Sequence, residues 1–285
     1  MAVTTTAAHF ASLHRPGDPL VIPNIWDLSS LNTVLSLNTS ETSTPVKAVA
    51  TASYAIAATL GLADEDLSLG ANLIRIRSLS PRVRAAGLPL TVDIQDAYGD
   101  RLEDVVAAVV EAGAVGANVE DMKDEKDVGE EGGDLLYTLE EQVERLKRVL
   151  KSAEEKGCEG FVVNARCDVM SPASRRGAID ESAEEGERLL GETVRRGKAY
   201  LEAGATTVFV WGGSQRGLRD AEVRALSDAF GGRLAVKLGT GDGALSVREL
   251  ADIGVARISV GPSLFQAANK TVREAAERIV GGGRL

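Results

Sequence analysis

The sequence has few cysteines, few histidines and few aromatic residues. Among its 285 residues there are two cysteines, two histidines and 4% aromatic residues. Two cysteines cannot build a disulfide framework, so we expect a reducing compartment. Protein zinc sites are built largely from cysteine and histidine, and the scarcity of both argues against a zinc site in this chain.

Positive charge and long apolar runs are also scarce. The chain has 32 Lys and Arg against 42 Asp and Glu, a formal net charge of −10. Such a chain does not attract nucleic-acid phosphates or an anionic membrane surface, and no apolar run approaches the ~20 residues of a membrane span. We therefore predict a cytoplasmic protein with neither nucleic acid nor membrane as a partner. A small anionic substrate is not excluded, because one arginine or one divalent cation can invert the charge of a pocket.

What the chain does contain is a regular alternation of short apolar segments and amphipathic stretches. Eight apolar segments have the length and composition of buried parallel strands, and several intervening stretches end in glycine, as helices do. Eight strand–helix units predict a closed (β/α)8 TIM barrel, an α/β fold forming one domain over residues 1–285. The predicted strands are 20–26, 46–53, 88–94, 115–120, 160–165, 206–211, 234–238 and 256–260.

Polar residues follow three neighbouring predicted strands where each strand ends. Asp93 and Gln95 follow the third strand, Glu120 the fourth and Arg166 the fifth. The carboxyl ends of barrel strands share one rim, and a donor set made only of oxygens suits Mg²⁺ or Mn²⁺. An arginine on that rim can bind a carboxylate or a phosphate through two nitrogens. The pattern predicts a metal-assisted site for a small, multiply anionic substrate.

The acidic segment 123–136 follows the fourth predicted strand. Its composition is typical of either a mobile lid or a solvated loop. If it closes over an anionic substrate, its acidic side chains must face outward because like charges repel. Lys123 is then predicted to face the substrate as a catalytic cation, and Lys123→Ala to impair the enzyme more than Lys126→Ala. The acidic residues concerned are Asp124, Glu125, Asp127 and Glu130.

Five motifs occur in an order that is more specific than any one of them. With this order the chain resembles the isocitrate lyase and phosphoenolpyruvate mutase superfamily over nearly its whole length, and in particular the shorter, mutase-like branch. The motifs are Pro23-Asn-Ile-Trp-Asp27, Asp93-Ile-Gln-Asp-Ala-Tyr-Gly99, Asn118-Val-Glu-Asp121, Asn164-Ala-Arg-Cys-Asp168 and Gly254-Val-Ala-Arg-Ile-Ser259.

The resemblance implies a Mg²⁺-dependent enzyme that acts on 2-oxo acids through a pyruvate enolate or a related intermediate. It implies that Asp93 binds the metal directly. The Gln95 amide oxygen is a candidate ligand of the same metal because Gln95 follows the same predicted strand. Asp64 and Glu120 are then expected to hold metal-bound waters.

The resemblance also implies a substrate site and an assembly. It assigns the substrate's pyruvyl oxygens to Ser53 and Tyr54 and its anionic end to Arg166, and it adds Asn164 from the same motif. Relatives of this kind exchange their last helix between barrels, so a homodimer or homotetramer is expected, with segment 263–280 on a neighbour.

Departures from the family pattern narrow the expected reaction. Gln95 stands where an acid is usual and Ala97 where glycine is usual. Residues 122–137 lack the Lys-Lys-Cys-Gly-His-type sequence whose cysteine supplies a proton in isocitrate and methylisocitrate lyases, so that reaction is disfavoured. The leading prediction is a lyase or phosphonomutase-type isomerase that cleaves or rearranges a C–C or P–C bond beside a 2-oxo acid. A hydrolase of oxaloacetate or phosphonopyruvate is one alternative, and a catalytically silent metabolite-binding barrel is another.

Overall fold

Parallel strands form one sheet that wraps into a barrel. The computed structural model describes residues 3–40, 43–128, 134–172, 174, 182–214, 216–241 and 243–285. Within these residues nine strands pair in the order β1-β9-β8-β7-β6-β5-β4-β3-β2, and every pair is parallel. The strands are β1 Leu20–Ile22, β2 Asn24–Ile25, β3 Val49–Thr51, β4 Leu90–Asp93, β5 Gly116–Glu120, β6 Val162–Cys167, β7 Thr207–Val210, β8 Leu234–Lys237 and β9 Arg257–Ser259.

Pro23 explains why nine strands appear where eight were predicted. β1 pairs with β9 and β2 pairs with β3, and only Pro23 separates β1 from β2. Proline has no backbone N–H to donate to a neighbouring strand, although the Pro23 carbonyl still accepts from Ala50 at 3.1 Å. The first predicted strand is thus one strand interrupted at a proline, and the prediction of a (β/α)8 barrel is confirmed.

Helices cover the outside of the sheet. Their apolar faces pack against outward-facing strand residues, as the buried Val106, Val149 and Leu226 show. Within the described residues, no helix is long and apolar enough to cross a membrane. The helices are α1 Val3–Ser12, α2 Leu28–Leu35, α3 Ser53–Thr59, α4 Leu69–Ala85, α5 Leu102–Glu111, α6 Leu139–Glu155, α7 Ala183–Glu202, α8 Asp220–Ala229, α9 Val247–Ile253 and α10 Ser263–Val280.

Local sequence signals fix where several helices begin and end. The Thr138 hydroxyl accepts a hydrogen bond from the Glu141 backbone N–H, and the Glu141 carboxylate accepts one from the Thr138 backbone N–H. These two bonds form a capping box at the start of α6. Gly204 and Gly254 follow α7 and α9 with φ of 107° and 95°. Only glycine adopts this conformation at little cost, so these glycines end the helices and direct the chain into β7 and β9.

Candidate active site

A cavity of about 480 Å³ lies at the carboxyl ends of the strands. Polar side chains from both halves of the barrel line it, among them Asp93 of β4, Arg166 of β6 and Lys237 of β8. Five of the residues predicted from the sequence line this cavity, namely Ser53, Tyr54, Asp64, Asp93 and Arg166. The rim of the barrel therefore brings together residues from β4, β6, α3 and the turn that contains Asp64.

Asp93 is held by the strand next to its own and by the helix that follows that strand. Its Oδ2 accepts hydrogen bonds from the backbone N–H of Ser53 at 3.2 Å and from the Ser53 hydroxyl at 3.0 Å. Its backbone N–H donates to Thr51 Oγ1 at 2.9 Å. These contacts fix the carboxylate at the start of α3, where helix N–H groups have no intrahelical partner.

Gln95 contacts Asp64, which lies in the one-turn segment Asp64–Asp66. Its Nε2 donates to the Asp64 carbonyl at 2.8 Å and to the Asp64 carboxylate at 3.4 Å. Burial and the nearby Asp93 charge raise the pKa of Asp64 to about 6. An acid at position 95 would add a further negative charge here, whereas the amide donates hydrogen bonds.

Arg166 lies between two buried carboxylates. Its Nη1 donates to Glu120 Oε1 at 2.6 Å, and its Nη2 and Nε donate to Asp168 Oδ1 at 2.7 and 3.1 Å. Burial raises the pKa of Glu120 well above its usual range, although the Arg166 charge opposes that rise. The guanidinium therefore forms its hydrogen bonds with protein carboxyl groups.

Asn164 and Lys123, also predicted from the sequence, do not line the cavity. The side-chain N–H of Asn164 donates a hydrogen bond to Asn118 Oδ1, and its side-chain oxygen accepts one from Thr207 Oγ1 at 2.6 Å. The Asn164 side chain therefore has hydrogen-bond partners inside the barrel. Lys123 Nζ lies 5.1 Å from the centre of the Tyr137 ring. Glu120 does not line the cavity, but it accepts a hydrogen bond from Arg166, which does.

Negative charge is in excess at this end of the cavity. Asp64, Asp93, Glu120 and Asp168 act electrostatically on one another, and Arg166 is the cation among them. Within the described residues, no three acidic, histidine or cysteine side chains converge closely enough to enclose a metal. Mg²⁺ is usually bound by one or two carboxylates and keeps several waters. Two aspartates, Asp64 and Asp93, line this end of the cavity, and their carboxylate oxygens are donors of the kind that such an ion takes.

The raised pKa of Asp64 gives a pH dependence with a definite sign. A carboxyl group whose pKa is higher in the folded state binds more protons there, so its stabilisation is complete below about pH 4 and is lost as the pH rises through about 6. In chelator, we expect Asp64→Asn to remove about 2–3 kcal/mol of the fall in unfolding free energy between pH 4.5 and 7.5. Urea titrations measure this change, with the exposed Glu65→Gln as the control. The same pH slope in Asp64→Asn and wild type would contradict the assignment.

Two buried acids, Asp121 and Asp168, were not assigned to the site from the sequence but position residues of it. Asp121 Oδ2 accepts from the Tyr200 hydroxyl at 2.7 Å, and its Oδ1 accepts from the Asp168 backbone at 2.8 Å. Asp121 thereby connects β5, α7 and the end of β6, and it sets the position of Asp168. Both acids lie in the recognised motifs, but only the folded chain shows that Asp121 faces the interior.

The loop after β5 contacts the segment that contains Asp64. Lys126 Nζ donates to Asp66 Oδ1 at 2.7 Å and to the Glu65 carbonyl at 2.8 Å. The side chain of Asp127 and the whole of Glu130 lie outside the described residues, so their expected outward orientation stays a prediction. Of the two lysines in this loop, Lys126 therefore connects the loop to the segment that contains Asp64.

These contacts favour the opposite order of effects from that expected from the sequence. We expect Lys126→Ala to raise KM for the substrate several-fold, because the loop loses its contact with segment 64–66, and Lys123→Ala to have a smaller effect. The ion pair between Lys126 and Asp66 is exposed, so the unfolding free energy should change little. Steady-state kinetics of the two variants test this order. A larger rise in KM or a larger fall in kcat for Lys123→Ala than for Lys126→Ala would contradict this order and support Lys123 as a site residue.

Comparisons with known proteins agree with this geometry. The sequence model of the family described as phosphoenolpyruvate phosphomutase matches residues 10–280. A crystal structure from Burkholderia cenocepacia J2315, provisionally named a phosphonomutase, is 34% identical with a TM-score of 0.78, and the match covers 99% of this chain and 100% of that one.

Two further relatives share less of the sequence. The 2-methylisocitrate lyase of Bacillus subtilis strain 168 is 31% identical over 129 residues, which are 45% of this chain and 36% of the lyase. A phosphonopyruvate hydrolase crystallised with oxalate and Mg²⁺ is 22% identical with a TM-score of 0.74, and the match covers 99% of this chain and 89% of the hydrolase. At that identity it shows a common fold alone.

The family match spans nearly the whole chain, and the barrel has its acidic site at the predicted rim. The chain therefore belongs to the phosphoenolpyruvate phosphomutase family, within the isocitrate lyase and phosphoenolpyruvate mutase superfamily.

Proposed function

We propose that the protein is a Mg²⁺- or Mn²⁺-dependent enzyme that cleaves or rearranges a C–C or P–C bond beside a 2-oxo acid. The observation that carries the proposal is the position of Asp93. Its carboxylate lines the cavity, Ser53 fixes it, and further acids surround it. Family membership supports an enzyme of this class.

The chain's own residues have separate tasks in this reaction. A divalent cation bound at Asp93 would polarise the 2-oxo group and stabilise an enolate. Ser53 and Tyr54 begin α3 and line the cavity beside Asp93, so they would contact the carboxylate oxygens of the substrate. Arg166 holds Glu120 and Asp168 in place, which keeps these acids beside the metal end.

The residues that line the cavity favour reactions that need no thiol acid. Within the described residues, neither cysteine nor histidine lines it. Cys167 is buried, and burial raises its pKa well above the usual range, so it holds its proton. A mutase or a hydrolase, in which no thiol protonates the product, fits this lining better than a lyase of the methylisocitrate type.

Turnover of a panel of 2-oxo acids with Mg²⁺ tests the proposal. Phosphorus NMR distinguishes phosphonopyruvate rearranged to phosphoenolpyruvate, the mutase outcome, from phosphonopyruvate hydrolysed to pyruvate and phosphate. Carbon NMR follows oxaloacetate in the same way. Metal-dependent conversion of any member above the Asp93→Ala background supports an enzyme. Binding without conversion of every member would overturn the proposal and support the silent barrel.

We also propose that the protein is a homodimer or homotetramer held in part by α10. Phe265 of α10 packs edge-on against Trp26 at 5.2 Å, but Val272 and Val280 are 67% and 88% exposed. An exposed apolar face on an 18-residue helix is typical of a contact with another subunit. We expect at least a dimeric mass by light scattering at micromolar concentration, and a smaller mass for Val272→Glu but not for Thr271→Glu. A monomeric wild type would contradict this.

A further inference from the structure

Two cations on β8 and β9 line the cavity. Lys237 ends β8 and Arg257 begins β9, and both line the cavity that also contains Asp93. We propose that Lys237 and Arg257 form an anion subsite, which binds the second anionic group of the substrate while its 2-oxo carboxylate lies at Asp93. This inference rests on the proposed function, since it assigns the far end of the same substrate.

Arg257 is a buried cation with two side-chain nitrogens that form no hydrogen bond to the described residues. Its side chain belongs to a residue that is only 2% exposed, and its Nε and Nη1 have no hydrogen-bond partner in the part of the chain that the structure describes. Burial lowers the pKa of Arg257 to about 9, and only the Asp93 charge opposes this. A buried charge that is neither paired nor hydrogen-bonded costs several kcal/mol, which an anion in the cavity would offset.

Lys237 lies beside Arg257 because of the strand register. Ala235 is the register partner of Arg257, and Lys237 follows two residues later, so alternation places Lys237 and Arg257 on the inner face of adjacent strands. The Lys237 ammonium lies 5.9 Å from the centre of the Trp211 ring. Among the described residues no carboxylate forms an ion pair with it. Burial lowers its pKa, as expected for a cation without an anion nearby.

Arg166, the cation that the sequence assigned to this task, is placed differently. It donates three hydrogen bonds to Glu120 and Asp168, whereas Arg257 and Lys237 retain their capacity for an anion. The cavity is therefore polarised, with excess acid at β4–β6 and unpaired cations at β8–β9. That arrangement suits an elongated dianion, a 2-oxo acid with a carboxylate or phosphonate at its far end, and Arg166 becomes a positioning residue.

Two probes that both chelate through an oxalyl group, of which only one carries a distal carboxylate, separate this subsite from the metal end. Oxalate offers a short chelating dianion, and N-oxalylglycine adds a distal carboxylate. With Mg²⁺ present, calorimetry should show that Lys237→Met and Arg257→Met each lower the affinity for N-oxalylglycine roughly 10–100-fold. This is the range for the loss of a hydrogen bond to a charged group. Oxalate affinity should change less than about twofold. Lys147→Met, an exposed lysine of α6, is the matched control and should leave both affinities unchanged.

Stability without ligand supplies an independent readout. Because Arg257 is buried and unpaired, Arg257→Met should leave the Tm of the free protein unchanged or raise it, whereas loss of a structural arginine would lower it. Inorganic phosphate in chelator probes the cation pair without the metal end, and its binding should weaken in both variants.

The outcomes distinguish the two proposals. If oxalate binds with Mg²⁺ but the affinity for N-oxalylglycine is the same in the variants and the wild type, the anion subsite is overturned and the metal end stands. The same conclusion follows if the variants lower the affinities for both probes equally. If oxalate does not bind while phosphate binding still depends on Lys237 and Arg257, the proposed function is overturned and the subsite stands. Failure of every probe overturns both.

Discussion

Replacing Asp93 with asparagine is expected to reduce kcat/KM by about 10³-fold or more while the fold is retained. Asp93 lines the cavity, and Ser53 donates two hydrogen bonds to its Oδ2. Asparagine keeps the shape of the side chain but removes the negative charge that would bind the proposed metal ion. Lewis-acid stabilisation of the developing enolate is worth several kcal/mol, and each ~1.4 kcal/mol is a factor of ten in rate.

Calorimetry with Mg²⁺ and steady-state kinetics measure this effect. The matched control is Asp100→Asn, an exposed aspartate in the turn after the same strand, which should keep wild-type affinity and rate. Tm in chelator should be similar in all three proteins, because Asp93 contributes to the fold mainly through hydrogen bonds that asparagine oxygen also accepts. An unchanged metal affinity in Asp93→Asn would remove this residue from the metal site.

Replacing Arg166 with methionine should have the largest effect on stability, about 3–5 kcal/mol at pH 7.5. Arg166 is the hydrogen-bonding partner of Glu120 Oε1 and Asp168 Oδ1, and both acids are buried. Without the guanidinium these acids must either stay charged without a partner or bind protons. Activity should be lost as well, because Arg166 would no longer hold Glu120 and Asp168 beside the proposed metal site.

The Arg166→Met defect should shrink as the pH falls. Burial already raises the pKa values of Glu120 and Asp168, and loss of Arg166 raises them further. Protonated acids lose less by burial, so the difference in unfolding free energy between variant and wild type should be smaller at pH 5.5 than at 7.5. Urea titrations at both values measure it. Arg148→Met removes a surface pair with Glu103 and should cost less than about 1 kcal/mol at either pH; an equal cost in the two variants would contradict the role of Arg166.

The apolar periodicity already predicted the barrel, because buried parallel strands must be short, continuous and apolar. All eight predicted strands are present, and the one difference arises at Pro23, where the missing N–H interrupts the first strand. Asp93 was also placed correctly at the cavity, since the carboxyl ends of parallel strands must share a rim. These features depend on local chemistry and on one topological rule.

The partners of each charged side chain were decided only by the tertiary structure. The sequence shows that Arg166 lies at a strand end, but the presence of Glu120 and Asp168 within hydrogen-bond distance depends on strand register and on Asp121 below them. Lys237 was visible in the sequence as a charge in an apolar strand, as was Arg257 in the closing motif.

The sequence by itself thus determined the fold, the family and the acidic end of the site, because these follow from periodicity, motif order and strand ends. The tertiary structure decided which cation pairs with protein carboxyl groups and which forms no such pair among the described residues. Charge pairing acts over a few ångströms between residues as far apart as Glu120 and Arg166, and linear spacing does not encode such distances.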